Sequence, residues 1–175
     1  MAEVWISLKD IPADGREFSF SDQPTWEAYW REFRLPVKPG RPLEATFTVY
    51  PQKNGVLVRG RLTGSVILEC SRCAGDLEHV VDLPFELYEE AGGNGAGEQS
   101  HLLRRVGDHL ELNPAEMLWE EFSLNLPVKL LCSKDCKGLC PKCGKNLNQG
   151  ECACSSEEGD PRLAALRGIK VSRKD

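Results

Sequence analysis

A chain of 175 residues, 41% hydrophobic and 28% charged, can bury one core and carry at most a small appended module. No apolar run approaches the roughly 18–20 residues that cross a bilayer, and the opening MAEVWISLKD lacks the basic and apolar stretches of a secretory leader. The net charge of −5 is unevenly placed: residues 76–125 carry twelve acidic and two basic side chains, residues 129–175 ten basic and six acidic ones.

Residues 3–8, EVWISL, read as a short strand, and Gly15 after Pro-Ala-Asp as a turn. A helix is predicted from Pro24 to Phe33, capped by Asp22 or Gln23. Trp26, Tyr29, Trp30 and Phe33 fall at i, i+3, i+4 and i+7, one stripe that suits core packing better than base stacking. Leu35–Pro42, with three prolines and a glycine, is a connection. From Leu43 the period becomes two, with Leu43, Ala45, Phe47 and Val49 on one face. Asn54-Gly55 signals a hairpin. Val56–Leu62 returns with Val56, Val58 and Leu62 inward and Arg59 and Arg61 outward, and a further strand, Ser65–Glu69, leads into Cys70. Leu77, Val81, Leu83, Phe85 and Leu87 then alternate with Glu78, Asp82 and Glu86. The stretch 43–88 predicts an antiparallel meander with Cys70-Ser-Arg-Cys73 at one hairpin end.

Ala91–Ser100 is a glycine-rich loop without the Gly-Lys-Ser/Thr of a phosphate-binding loop. A strand at His109–Leu112 precedes a helix over 114–126, with Asn113 as cap, Pro114 in the first turn and Glu116 three residues after the cap. Its apolar stripe is Ala115, Leu118, Trp119, Phe122 and Leu126, and it ends before Pro127. After Cys154 the polar SSEEGD leads to about two helical turns around Leu163 and Leu166. The expected class is α+β: an antiparallel meander or barrel-like sheet, two or three short helices and a C-terminal cysteine-rich zinc module. The expected divisions are a β-rich core over 1–131, the module over 132–154 and a basic tail over 155–175.

Six of eight cysteines fall between Cys132 and Cys154, and Cys70 and Cys73 form a Cys-x-x-Cys pair upstream. In a cytoplasmic protein thiols stay reduced, so this density points to metal, zinc before others, with one or two Zn2+ ions. Loop closure over a short span costs little, which favours Cys140, Cys143, Cys152 and Cys154 as one site. Cys70, Cys73, Cys132 and Cys136 then form the other. Rival groupings are a knuckle within 132–143 and a ribbon joining 70/73 to 140/143. Four cysteines also suit an iron–sulfur cluster. An all-cysteine zinc shell leaves no position for water, which argues against catalysis there. The histidines, His79, His101 and His109, form no metal or triad grouping.

The meander ending in LECSRC, the LNLPVKLLC run, DCKGLCPKCGKNLN, the CAC and the closing DPRLAALRGIK resemble the bacterial YceD family, the large ribosomal RNA subunit accumulation proteins. The likeness covers nearly the whole chain, most specifically 66–75 and 124–169. It implies a cytoplasmic, non-enzymatic protein that supports large-subunit ribosomal RNA accumulation. The partner is then pre-ribosomal RNA or a ribosomal protein, with no membrane and no small-molecule substrate. Lys129, Lys134, Lys137, Lys142 and Lys145, with Arg162, Arg167, Lys170, Arg173 and Lys174, are the candidate phosphate contacts. The alternative is a thiol redox or metal-dependent enzyme using the Cys-x-x-Cys cysteines.

Overall fold

The computed structural model describes residues 4–91 and 100–154. Most of the glycine-rich loop and the short helix expected around Leu163 and Leu166 therefore lie outside the described residues. The chain begins with β1 (Ile6–Ser7), β2 (Arg16–Phe20), α1 (Gln23–Glu32) and the two-residue β3 (Lys38–Pro39). The long strands β4 (Glu44–Gln52), β5 (Gly55–Glu69) and β6 (Asp76–Glu90) follow, then β7 (Leu103–Val106), β8 (His109–Leu112) and α2 (Pro114–Asn125). A single 3-10 turn, Leu147–Gln149, lies in the cysteine-rich segment.

The protein is α+β, with two α-helices and antiparallel sheets among the described residues. β4, β5 and β6 form the meander, β2 pairs the far side of β4, and β3 pairs β5 beyond the end of β4. The barrel-like closure does not form. β2 and β6 do not meet, and β1, β8 and β7 make a three-stranded sheet of their own. β6 consequently pairs with no strand but β5 among the described residues. Four of its outward acids are matched by cations: Asp76 by Lys38, Glu78 by Arg41, Asp82 by Arg61 and Glu86 by Arg59.

The alternation read from 43 onward places Leu43, Ala45, Phe47, Val49, Val56, Val58 and Leu62 in the core. The two segments expected over 56–62 and 65–69 are one strand, because β6 pairs β5 at every residue from Gly55 to Glu69. A continuous partner outweighs the local break that Gly64 suggests. The Asn-Gly signal marks the right place for a different reason. Gln52 pairs with Gly55, so the turn residues are Lys53 and Asn54, and neither has positive φ. Gly55 is needed because a Cβ there would collide with the carbonyl of Glu89 on β6.

The helices close the core. Trp26, Tyr29 and Trp30 of α1 are buried, while Phe33 is half exposed. Trp119 of α2 stacks on Tyr29 with centroids 5.0 Å apart, and Phe122 meets Trp26 edge-on at 5.5 Å. Each such pair adds about 0.5–1.5 kcal/mol beyond area burial. Asn113 caps α2: its Oδ1 accepts from Ala115 N at 3.1 Å and Glu116 N at 3.2 Å. Asp22 caps α1 by position only and makes no side-chain bond to the helix backbone. Among the described residues no helix is long and apolar enough to cross a membrane.

Candidate metal centre

The hairpin from β5 to β6 turns through Cys70–Gly75, and its backbone is a tight knuckle. Cys70 N donates to Gly75 O at 2.9 Å, and Ala74 N to Cys70 O at 2.9 Å. The Cys140–Lys145 turn repeats this: Cys140 N donates to Lys145 O at 2.8 Å, and Gly144 N to Cys140 O at 2.9 Å. In both, the residue after the second cysteine takes positive φ, +53° at Ala74 and +72° at Gly144. Glycine suits that conformation and alanine does not, so the strain is carried by the hairpin that two long strands already hold in place.

α2 delivers the chain back to the first knuckle. Ser71 N donates to Leu130 O at 2.8 Å, and Leu130 N donates to Ser71 Oγ at 3.2 Å. Beyond Cys132 the segment stays attached through Arg72. Its guanidinium donates to Cys136 O at 2.9 Å, and its carbonyl accepts from Leu139 N at 3.1 Å.

This route brings Cys70, Cys73, Cys132 and Cys136 together as one group, and Cys140, Cys143, Cys152 and Cys154 as a second. Within each group all four sulfurs lie within 4.8 Å of one another. Neither rival grouping occurs. Cys70 Sγ is 3.8 Å from Cys136 Sγ, and Cys73 Sγ is 3.6 Å from Cys132 Sγ. A tetrahedron with arms of about 2.3 Å has edges of about 3.8 Å, which these two contacts match, and the remaining sulfur pairs of the group lie within 4.8 Å. All eight cysteines are free thiols. The first group is the more enclosed, with Cys70, Cys73 and Cys136 buried. In the second only Cys140 is buried.

The thiols are not equivalent. Backbone N–H groups of Cys132, Arg72 and Cys73 pull Cys70 down to about 6. Those of Cys143 and Lys142 bring Cys140 to about 6 as well. Cys136 is lowered too, chiefly by the side-chain amide of Asn148. Cys132 is pushed up to about 12 by its hydrogen bonds with Cys136 and Cys73, and Cys154 up to about 12 by those with Cys143 and Cys140. Donors around Cys70, Cys136 and Cys140 thus favour anionic sulfur, the form in which a thiol can hold a divalent cation.

Lys129, Lys134, Lys137, Lys142 and Lys145 are all exposed around these groups. Lys145 is engaged, its Nζ donating to Glu151 O at 2.7 Å, which closes the second loop. The other candidate cations, Arg162, Arg167, Lys170, Arg173 and Lys174, lie outside the described residues. Two residues escaped the sequence reading, Arg72 and Asn148. Asn148 donates Nδ2–H to Cys136 Sγ at 3.3 Å. The only available signal was the Asn146-Leu147-Asn148 spacing, an asparagine pair typical of a tight turn.

The family model for the large ribosomal RNA subunit accumulation protein YceD matches residues 58–170, a span that contains both knuckles and every cysteine. The chain belongs to the YceD family. Uncharacterised proteins of Mycobacterium tuberculosis and Mycobacterium bovis are 30% identical to this YceD member over 135 residues, 75% of the chain. The chain spans 64% of the length of those relatives. The Arabidopsis thaliana chloroplastic YCED homolog 1, named as a large ribosomal RNA subunit accumulation protein, is 32% identical over 60 residues. Those residues are 34% of this chain and 19% of the plant protein. No solved structure matches.

Proposed function

We propose that this YceD member is a zinc-stabilised, non-catalytic cytoplasmic protein that supports large-subunit ribosomal RNA accumulation by binding pre-ribosomal RNA. The observation that carries the metal part is the clustering of eight sulfurs into two sets of four, each within 4.8 Å. Four sulfurs within 4.8 Å of one another favour a single ion such as zinc over an iron–sulfur cluster, which spreads its thiolates over several irons. Four protein ligands leave no open position, which speaks against a metal-dependent enzyme. The close sulfur contacts in the first group, 3.6 and 3.8 Å, run between the two chain segments, Cys73 to Cys132 and Cys70 to Cys136. A redox Cys-x-x-Cys instead closes its disulfide within the motif. We also take 1–131, 132–154 and 155–175 as core, module and tail.

Lys129, Lys134, Lys137 and Lys142 are exposed and form no ion pair with the described residues. A loaded four-thiolate zinc centre carries a net double negative charge, so part of this lysine charge offsets the centres. The remainder acts with the five basic residues between Arg162 and Lys174. Two measurements test the reading. Metal analysis of reduced protein is expected to find two zinc ions per chain. Titration against large-subunit RNA precursor fragments is expected to weaken steeply with salt, and replacing the four lysines by alanine to reduce the log–log slope by about 1–2, since only part of their charge is left for phosphate. Salt-independent affinity, or none for RNA with capture of a ribosomal protein instead, would move the partner from nucleic acid to protein.

A further inference from the structure

We infer that Asn148 is a positioning residue that couples the two cysteine groups, passing the state of the outer group (Cys140, Cys143, Cys152 and Cys154) to a ligand of the inner one (Cys70, Cys73, Cys132 and Cys136). The inference rests on the metal reading above. Asn148 lies between Cys143 and Cys152, in the loop whose ends the outer group ties together. Its side chain nevertheless serves the inner group. Nδ2 donates to Cys136 Sγ at 3.3 Å and to Asn146 Oδ1 at 2.9 Å, while Oδ1 accepts from Lys137 N at 2.8 Å. Lys137 N–H can only donate, so the amide is oriented with its nitrogen toward the sulfur.

The loop has no core of its own to hold this amide. Leu147, Asn148 and Gln149 are all unburied. Its order comes from the Leu139–Asn146 bridge, from Leu147 N donating to Gly138 O at 2.9 Å, from Lys145 Nζ donating to Glu151 O, and from closure by Cys143 and Cys152. Metal at the outer group therefore sets the donor at Cys136. An N–H···S bond draws charge from a thiolate and fixes its direction, and such outer-shell partners are worth about 10- to 100-fold in metal affinity.

Cadmium is the probe, because each four-cysteine group in the full-length protein gives its own cadmium NMR resonance, and chelator competition reads each affinity. Asn148→Asp keeps the acceptor for Lys137 and removes the donor to sulfur; Asn148→Ala removes both. Both variants are expected to move the inner-group resonance and weaken cadmium there about 10- to 100-fold. Cys152→Ser with Cys154→Ser is expected to weaken the inner group by a similar factor. Combined with Asn148→Asp it should add no more. Multiplying effects, or an inner resonance unmoved by both Asn148 variants, overturns the coupling alone. Neither group taking up zinc or cadmium removes the metal reading and the coupling together.

Discussion

The sheet and the cysteine-rich segment hold their shape by different means. From Leu8 to Phe122 one apolar cluster joins both helices and strands of both sheets, and its centre is fully buried. In the 23 residues from Cys132 to Cys154 only Cys136, Gly138 and Cys140 are buried. The first region excludes water with carbon; the second has sulfur and a set of backbone and side-chain hydrogen bonds in its place. A segment with so little apolar surface cannot offset its own ordering entropy without a further cross-link.

Removing metal under reducing conditions should separate the two regions most sharply. Structural zinc is worth about 10–16 kcal/mol at neutral pH, so chelation is expected to abolish amide protection after Cys132 while β4, β5 and β6 stay protected. Hydrogen exchange at graded chelator would show it, and simultaneous loss in the sheet would erase the distinction. The reverse experiment is Trp119→Ala, which removes the ring stacked on Tyr29. A loss of about 3–5 kcal/mol in denaturant melts is expected, with the metal content of the folded protein unchanged. Asn113→Ala should cost about 1 kcal/mol, again within the sheet-and-helix region.

The smallest effect is electrostatic. Burial, with Glu120 next to it, raises the carboxyl of Glu121. Its folded form binds protons more tightly than the unfolded one, so it costs nothing at low pH and withdraws stability as pH rises through its range. Glu121→Gln should therefore gain about a few tenths of a kcal/mol at neutral pH in denaturant melts, a gain that disappears below about pH 4. Asp82 has the opposite sign. Arg61 holds it below the usual carboxylate range, so its contribution is complete above that range and fades as acid reaches its lower folded value.

The same contrast explains what the sequence made legible. β4 to β6 and α2 were readable because long periods and a cap repeat one message over many residues. β2, β7 and β3 were not. They are five, four and two residues long, and their pairing is decided by neighbours distant in the chain. The spacing of the cysteines suggested a local set of four and a remote one. Arg72 and Asn148 carry ordinary polar side chains, whose importance comes from what a folded turn sets beside them. The open sheet was hidden for a similar reason: alternation says which face is wet, not which strand is last.

That last strand has a consequence for behaviour in crowded solution. β6 offers a fifteen-residue margin with one side unpaired among the described residues, a natural template for a stray strand from another molecule. Pro84, which lacks an N–H, interrupts the run of donors that a second copy zipped along the strand would need, and the side chains of Glu78, Asp82 and Glu86 are already held by Arg41, Arg61 and Arg59. Stickiness is thereby kept low along the same strand whose first residues lead out of the Cys70–Cys73 turn.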